Sequence, residues 1–136
     1  MITRKMPWDL NPEETDLLHK AVDTDDHSGG VNQVTCDIIE GALDLWVWET
    51  NSGLCLIVTQ VGTYRDGEKE LCVAMFAGHR PLGRDLVKEL SSVAGESDCS
   101  SVVAYIKPHL AEKFGVYEEG SFLNDKQMYV VVGFEV

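Results

Sequence analysis

Basic residues are scarce in the first half of this 136-residue chain. Between Met6 and Tyr64, eleven Asp and Glu stand against a single base, Lys20, so that stretch carries a net charge of −10 and the whole chain −12. A surface that neutralises phosphates needs the opposite sign, which argues against direct binding of DNA or RNA. The acidic half reads in two ways. It is a solvated surface that aids solubility, or it is a face for a basic partner or a surface that mimics nucleic acid. Cysteine is sparse too. Cys36, Cys55, Cys72 and Cys99 form no C-x-x-C pair, and their spacing gives neither a disulfide framework nor a zinc motif. Three of them lie in core-like patterns, where a free thiol behaves as a small apolar group, so a reducing, cytoplasmic setting is expected. His19, His27 and His109 lack metal-ligand spacing. No apolar run reaches the roughly 18 residues that span a membrane, and Asp9 interrupts any apolar run near the N-terminus, so no signal peptide is expected. There is no repeat, low-complexity tract or linker. With 44% hydrophobic and 25% charged residues, the chain is expected to fold as one domain over residues 1–136.

What is present is a succession of short periodic segments. "MITRKMP" reads as an opening strand. Asn11 then offers a helix cap, Pro12 suits the first helical position, and Glu14 completes a capping box. Leu17, Leu18 and Val22 follow on one face. The polar break "DTDDHSGG" precedes a second helix, Val31 to Ala42, whose stripe of Val34, Ile38, Ile39 and Ala42 is expected to be buried. "LDLWVWET", "LCLIVTQVGTY" and "LCVAMFA" read as strands joined by "NSG" and by the Asp-Gly turn "RDGE", a three-stranded meander. A helix from about Leu82 to Val93, a loop "AGESDCS", a strand over 101–106, a short helix over 107–115 and a closing hairpin through "ND" complete the chain. The expected fold is α+β, a mixed and mostly antiparallel sheet of about seven strands with about four helices.

This element order, together with "MITRKMPWDLNPEETDLLHKAV" at the start and "AEKFGV" at 111–116, resembles the GNAT (Gcn5-related N-acetyltransferase) family. The resemblance covers almost the whole chain as element order and little of it as motifs. It places "FAGHRPLGRDLVKEL" where the family holds the pyrophosphate of an acyl-CoA, in a loop of the form Arg/Gln-x-x-Gly-x-Gly/Ala. That loop works by aiming main-chain N–H groups at a helix start toward the phosphates. Two registers fit. With Arg80 as the leading base, Asp85 takes the last small position and Lys88 a position the family buries. With Gly83 as the last small residue, Leu86, Val87 and Leu90 face inward, Gly78 replaces the base and Pro81, which has no N–H, replaces the first glycine. Arg80 and Arg84 would then bind through their side chains. The plain alternative is a strand-to-helix turn with solvated arginines.

The resemblance further implies acetyl-CoA as cofactor, an amine substrate, and a reaction in which the amine attacks the thioester while strand backbone polarises the carbonyl. It implies a cofactor site formed by Val73, Met75, Phe76, Arg80, Leu82, Gly83 and Arg84. It does not supply the chemistry: Ala111 stands where the family has its proton-donating tyrosine, and "YIKPH" where it has an asparagine. Tyr105 and Tyr117 are substitutes for the first; Glu68, Glu70 and His79 are candidates for a base, with surface placement the plainer reading of each. No catalytic residue is assigned. In its short, acidic chain the protein also resembles small GNAT-like proteins of bacteriophages, which gives the second expectation, a catalytically silent virion or accessory component that binds a partner protein through its acidic half.

Overall fold

A computed structural model describes residues 2–25, 29–50, 53–78, 83–106, 117–124 and 127–135. The chain divides into two compact units, Met1–Gln60 with Ala74–Arg80, and Val61–Val73 with Pro81–Val136.

The first unit opens with β1, Ile2–Lys5, paired antiparallel to β2, Asp44–Thr50. A 3-10 turn, Pro7–Asp9, leads to α1, Pro12–Asp25. The start of α1 is a complete capping box: the Glu14 N–H donates to Asn11 Oδ1 at 2.8 Å, and the Asn11 N–H donates to Glu14 Oε1 at 2.9 Å. Reciprocal capping of this kind satisfies two helix-end donors that would otherwise lack acceptors. Helix α2, Gly30–Glu40, lies against α1. Its buried residues are Val34 and Ile38, whereas Ile39 is 47% exposed and Ala42 is exposed beyond the helix end. The expected stripe is therefore half as wide. Ile39 sits about 140° round the helix from Val34 and about 100° from Ile38; for Ala42 the reason is the helix terminus, where Gly41 N–H donates to Ile38 O and Ala42 N–H to Asp37 O, so the chain turns away at Gly41 and Leu43 supplies the next core side chain.

Strand β2 pairs antiparallel with β3, Gly53–Thr63, from Asp44↔Thr59 to Thr50↔Gly53. Leu45, Trp46, Val47 and Trp48 are all buried, so β2 is covered on both faces, as are Cys55 to Thr59 of β3. Consecutive buried residues are what a doubly covered strand requires. Leu18, Ala21, Val22, Val34, Ile38, Leu43, Leu45, Leu56 and Val58 form the core of this unit with Met75 and Ala77 from the second half of β4, Lys69–Gly78. The one buried hydroxyl there is satisfied: Trp46 Nε1 donates to Thr59 Oγ1 at 3.0 Å.

The second unit begins in the β3–β4 hairpin. Gly67 N–H donates to Tyr64 O at 3.0 Å, and Tyr64 N–H donates to Glu68 O at 2.8 Å. This is a turn closed by a left-handed residue, Gly67 at φ +87°, the common three-residue hairpin. The helix α3 spans Gly83–Glu96, three residues beyond its expected end, and packs against β5, Ser101–Ile106. Strand β5 runs parallel to β4 and antiparallel to β7, Gln127–Glu135, which pairs in turn with β6, Tyr117–Asn124. The order in the first unit is thus β1-β2-β3-β4 and in the second β4-β5-β7-β6. One parallel pair among antiparallel neighbours makes the architecture α+β and mostly antiparallel, as expected. Among the described residues there are three α-helices and seven strands. The short helix expected over 107–115 and the centres of the turns at 51–52 and 125–126 lie outside the described residues. Asn124, expected in the last turn, ends β6.

Candidate functional site

The proposed cofactor residues fall on two elements. Val73 and Phe76 are half-buried on β4, and Met75 is 4% exposed between them. Met75 packs in the core with Leu18, Val22 and Val34, so its side chain is not available to a ligand. Gly83 and Arg84 are the first two residues of α3. Arg80 and Leu82, with His79 and Pro81, lie outside the described residues, as does the Arg84 side chain.

Within the second unit β4 and β5 pair in parallel, Glu70↔Ser101, Leu71↔Val102, Cys72↔Val103 and Val73↔Ala104. At Gly78, φ is +109°, and a Cβ added there would lie 2.2 Å from Leu54 O and 3.1 Å from the Cys55 Cα. No side chain fits at this position, which is where the second loop register has lost the family's leading base. The strand end takes a glycine because it passes directly against the β3 backbone.

The orientation of α3 separates the two registers. Leu90, Val93 and Ala94 are buried, while Asp85 and Lys88 are exposed. The exposure of Lys88 favours the register through Gly83 over the one led by Arg80, which places Lys88 where the family buries a side chain. At about 100° per residue, Gly83 falls within about 20° of Leu90, on the packed side of the helix, and Asp85 about 140° away from it. Asp85, in the first turn, is exposed. The main-chain N–H groups of that turn have no acceptor within the helix and carry the positive end of its dipole.

The acidic candidates for a base sit at the other end of β4. Ser100 Oγ donates to Glu68 Oε2 at 3.3 Å, and Tyr64 Oη donates to the Glu70 carboxylate. Ser100 N–H also donates to Lys69 O at 2.9 Å. These bonds fasten the hairpin base to the chain entering β5. Glu70 stands opposite Ser101 in the first pair of the parallel β4–β5 register. Both glutamates thus serve as partnered hairpin-end charges. Tyr105 lies in β5 and Tyr117 opens β6, with side chains outside the described residues, as are Ala111 and His109.

Two features were missed in the sequence. Glu14 is 1% exposed and is held by Lys5, whose Nζ lies 3.0 and 2.9 Å from its two oxygens. Burial raises this carboxyl, but the Asn11 N–H and the Lys5 ammonium outweigh that, leaving its pKa below the ordinary value. Arg4 Nη2 similarly meets Asp44 Oδ1 at 2.7 Å. The two bases of β1 therefore answer two carboxylates of the acidic half, while Asp9, Glu13, Asp16, Asp23 and Glu40 are exposed. Burial pushes the Cys55 thiol up to about 11, and raises Cys99 as well. Among the described residues no group of three or more His, Cys, Asp or Glu is placed to hold a metal, and no helix is long and apolar enough to cross a membrane.

No protein-family model and no curated relative matches the chain. Its fold does match solved structures. The NatC complex bound to Gag peptide and CoA aligns at a TM-score of 0.64 and 14% identity over 99% of this chain and 98% of that one. FeeM, an N-acyl amino acid synthase from uncultured soil microbes, aligns at 0.63 and 14% identity over 99% and 94%. Arabidopsis thaliana Naa50, in complex with the bisubstrate analogue CoA-Ac-MVNAL, aligns at 0.55 and 12% identity over 99% of both chains. The chain has the GNAT fold, and the likeness is one of fold.

Proposed function

We propose that this chain binds an acyl-CoA, acetyl-CoA in the first instance, and transfers the acyl group to an amine. The reading is supported by the match in fold to acyltransferases, two of them solved with CoA or a CoA-linked analogue. Within the chain, one observation carries it: α3 joins two parallel strands, β4 and β5, and its first turn, at Gly83, follows the carboxyl end of β4. In a crossover of this kind the N-terminal turn of the helix offers an anion N–H groups that have no helical acceptor. Val73 and Met75 would contribute backbone groups, and the half-buried Phe76 its ring. The pyrophosphate would be held at the start of α3 by main-chain groups of Leu82 and Gly83 and by the side chains of Arg80 and Arg84.

In such a transfer the amine nitrogen attacks the thioester carbonyl, the new C–N bond replaces the C–S bond, and the amine proton ends on the departing sulfur. The chain's contribution is position. Holding donor and amine together can supply several kcal/mol of the barrier without a dedicated acid or base, roughly 7–11 kcal/mol in well-aligned cases. No acid or base is assigned, because Glu68 and Glu70 are occupied at the hairpin base.

Thermal unfolding with and without acetyl-CoA tests the reading. Donor at 100 times its dissociation constant stabilises the native state by about 2.7 kcal/mol. Absence of any rise in melting temperature at millimolar acetyl-CoA would remove the basis for an acyltransferase.

A further inference from the structure

We draw no further inference here: the strongest candidate, the exposed indole of Trp8 in the 3-10 turn after β1 together with the exposed carboxylates of Asp9, Glu13 and Asp16 around the start of α1, is one aromatic side chain beside an acidic cluster, and nothing in the structure shows what covers it.

Discussion

Lys5 and Glu14 form an ion pair that ties the edge strand β1 to the first turn of α1, with both carboxylate oxygens within 3.0 Å of the ammonium. The glutamate is 1% exposed and the lysine side chain 29%. Removing one partner of a buried pair leaves an uncompensated charge, at about 3–5 kcal/mol when the site is fully dry. Water reaches Lys5 and reduces that figure. Lys5→Ala should therefore cost about 2 kcal/mol in urea denaturation, more than the few tenths typical of an exposed pair. Glu14→Gln should cost less, about 1 kcal/mol, because its amide oxygen still accepts from Asn11. A Lys5→Ala midpoint equal to wild type would show that β1 does not depend on this contact.

The same pair sets a pH dependence. The Glu14 pKa is lowered in the folded chain from an ordinary value of 4.5. The folded state therefore holds fewer protons than the unfolded one, and stability rises with pH in the window between the two values. The contribution is complete above pH 4.5 and is lost as the pH falls through the folded value. Urea midpoints measured from pH 6 to pH 3 should fall for wild type, and fall less steeply for Glu14→Gln. Parallel curves would assign the acid sensitivity to other carboxylates.

Gly78 and Gly67 separate two reasons for a glycine. Both have positive φ, +109° and +87°, but only Gly78 has backbone in the space a Cβ would occupy. Gly67→Ala should cost about 1–2 kcal/mol for the left-handed conformation. Gly78→Ala adds a clash with Leu54 O, worth about 1–3 kcal/mol more if the strand must shift. Equal losses in denaturant titrations would mean that the β4 end does not press on β3 in solution.

These contrasts show which parts of the molecule were legible in the residues. The capping box at Asn11 and Glu14 was readable because its bonds join residues three apart. The same holds for the Gly67 turn and the unbroken apolar run of β3. What was hidden depends on residues far apart in the chain. Nothing local marks Lys5 as the partner of Glu14, or Thr59 as the acceptor for Trp46. Ile39 lies within the helix but about 140° round from Val34 and about 100° from Ile38, off the packed line, and Ala42 falls beyond the helix end at Gly41. The loop was ambiguous for the same reason. Each register fits the motif in part, and the exposure of Lys88 with the burial of Leu90 favours the one through Gly83. The candidate base residues had the right type and a plausible strand, but their partners, Tyr64 and Ser100, are fixed by hairpin geometry.

The four cysteines differ in exposure: Cys36 is exposed, Cys72 intermediate, and Cys55 and Cys99 buried. Alkylation proceeds through the thiolate. With Cys55 pushed up to about 11 by burial, the thiolate is a minute fraction of that group at pH 8. Timed labelling of the native protein at pH 8, read by peptide mass, should modify Cys36 first and leave Cys55 untouched until denaturant is added. Early labelling of Cys55 would indicate that the β2–β3 layer opens readily.

The acyl-CoA reading makes a residue-level prediction around α3. With a glycine fixed at position 78 and no N–H at Pro81, the pyrophosphate has fewer donors from the loop itself, and the two arginines carry more of its binding. A charge-assisted hydrogen bond contributes about 1.5–3 kcal/mol, so Arg80→Ala and Arg84→Ala should each weaken acetyl-CoA binding by about tenfold or more in calorimetric titration. The loss should shrink as salt rises toward 1 M, where exposed charges are screened within about 3 Å. Lys88→Ala, on the exposed side of the same helix, is the control and should leave affinity within about twofold, since an exposed charge at that remove contributes little. If the arginine variants bind as wild type does while Lys88→Ala weakens binding, the phosphates contact the solvent face of α3 and the register through Gly83 is wrong.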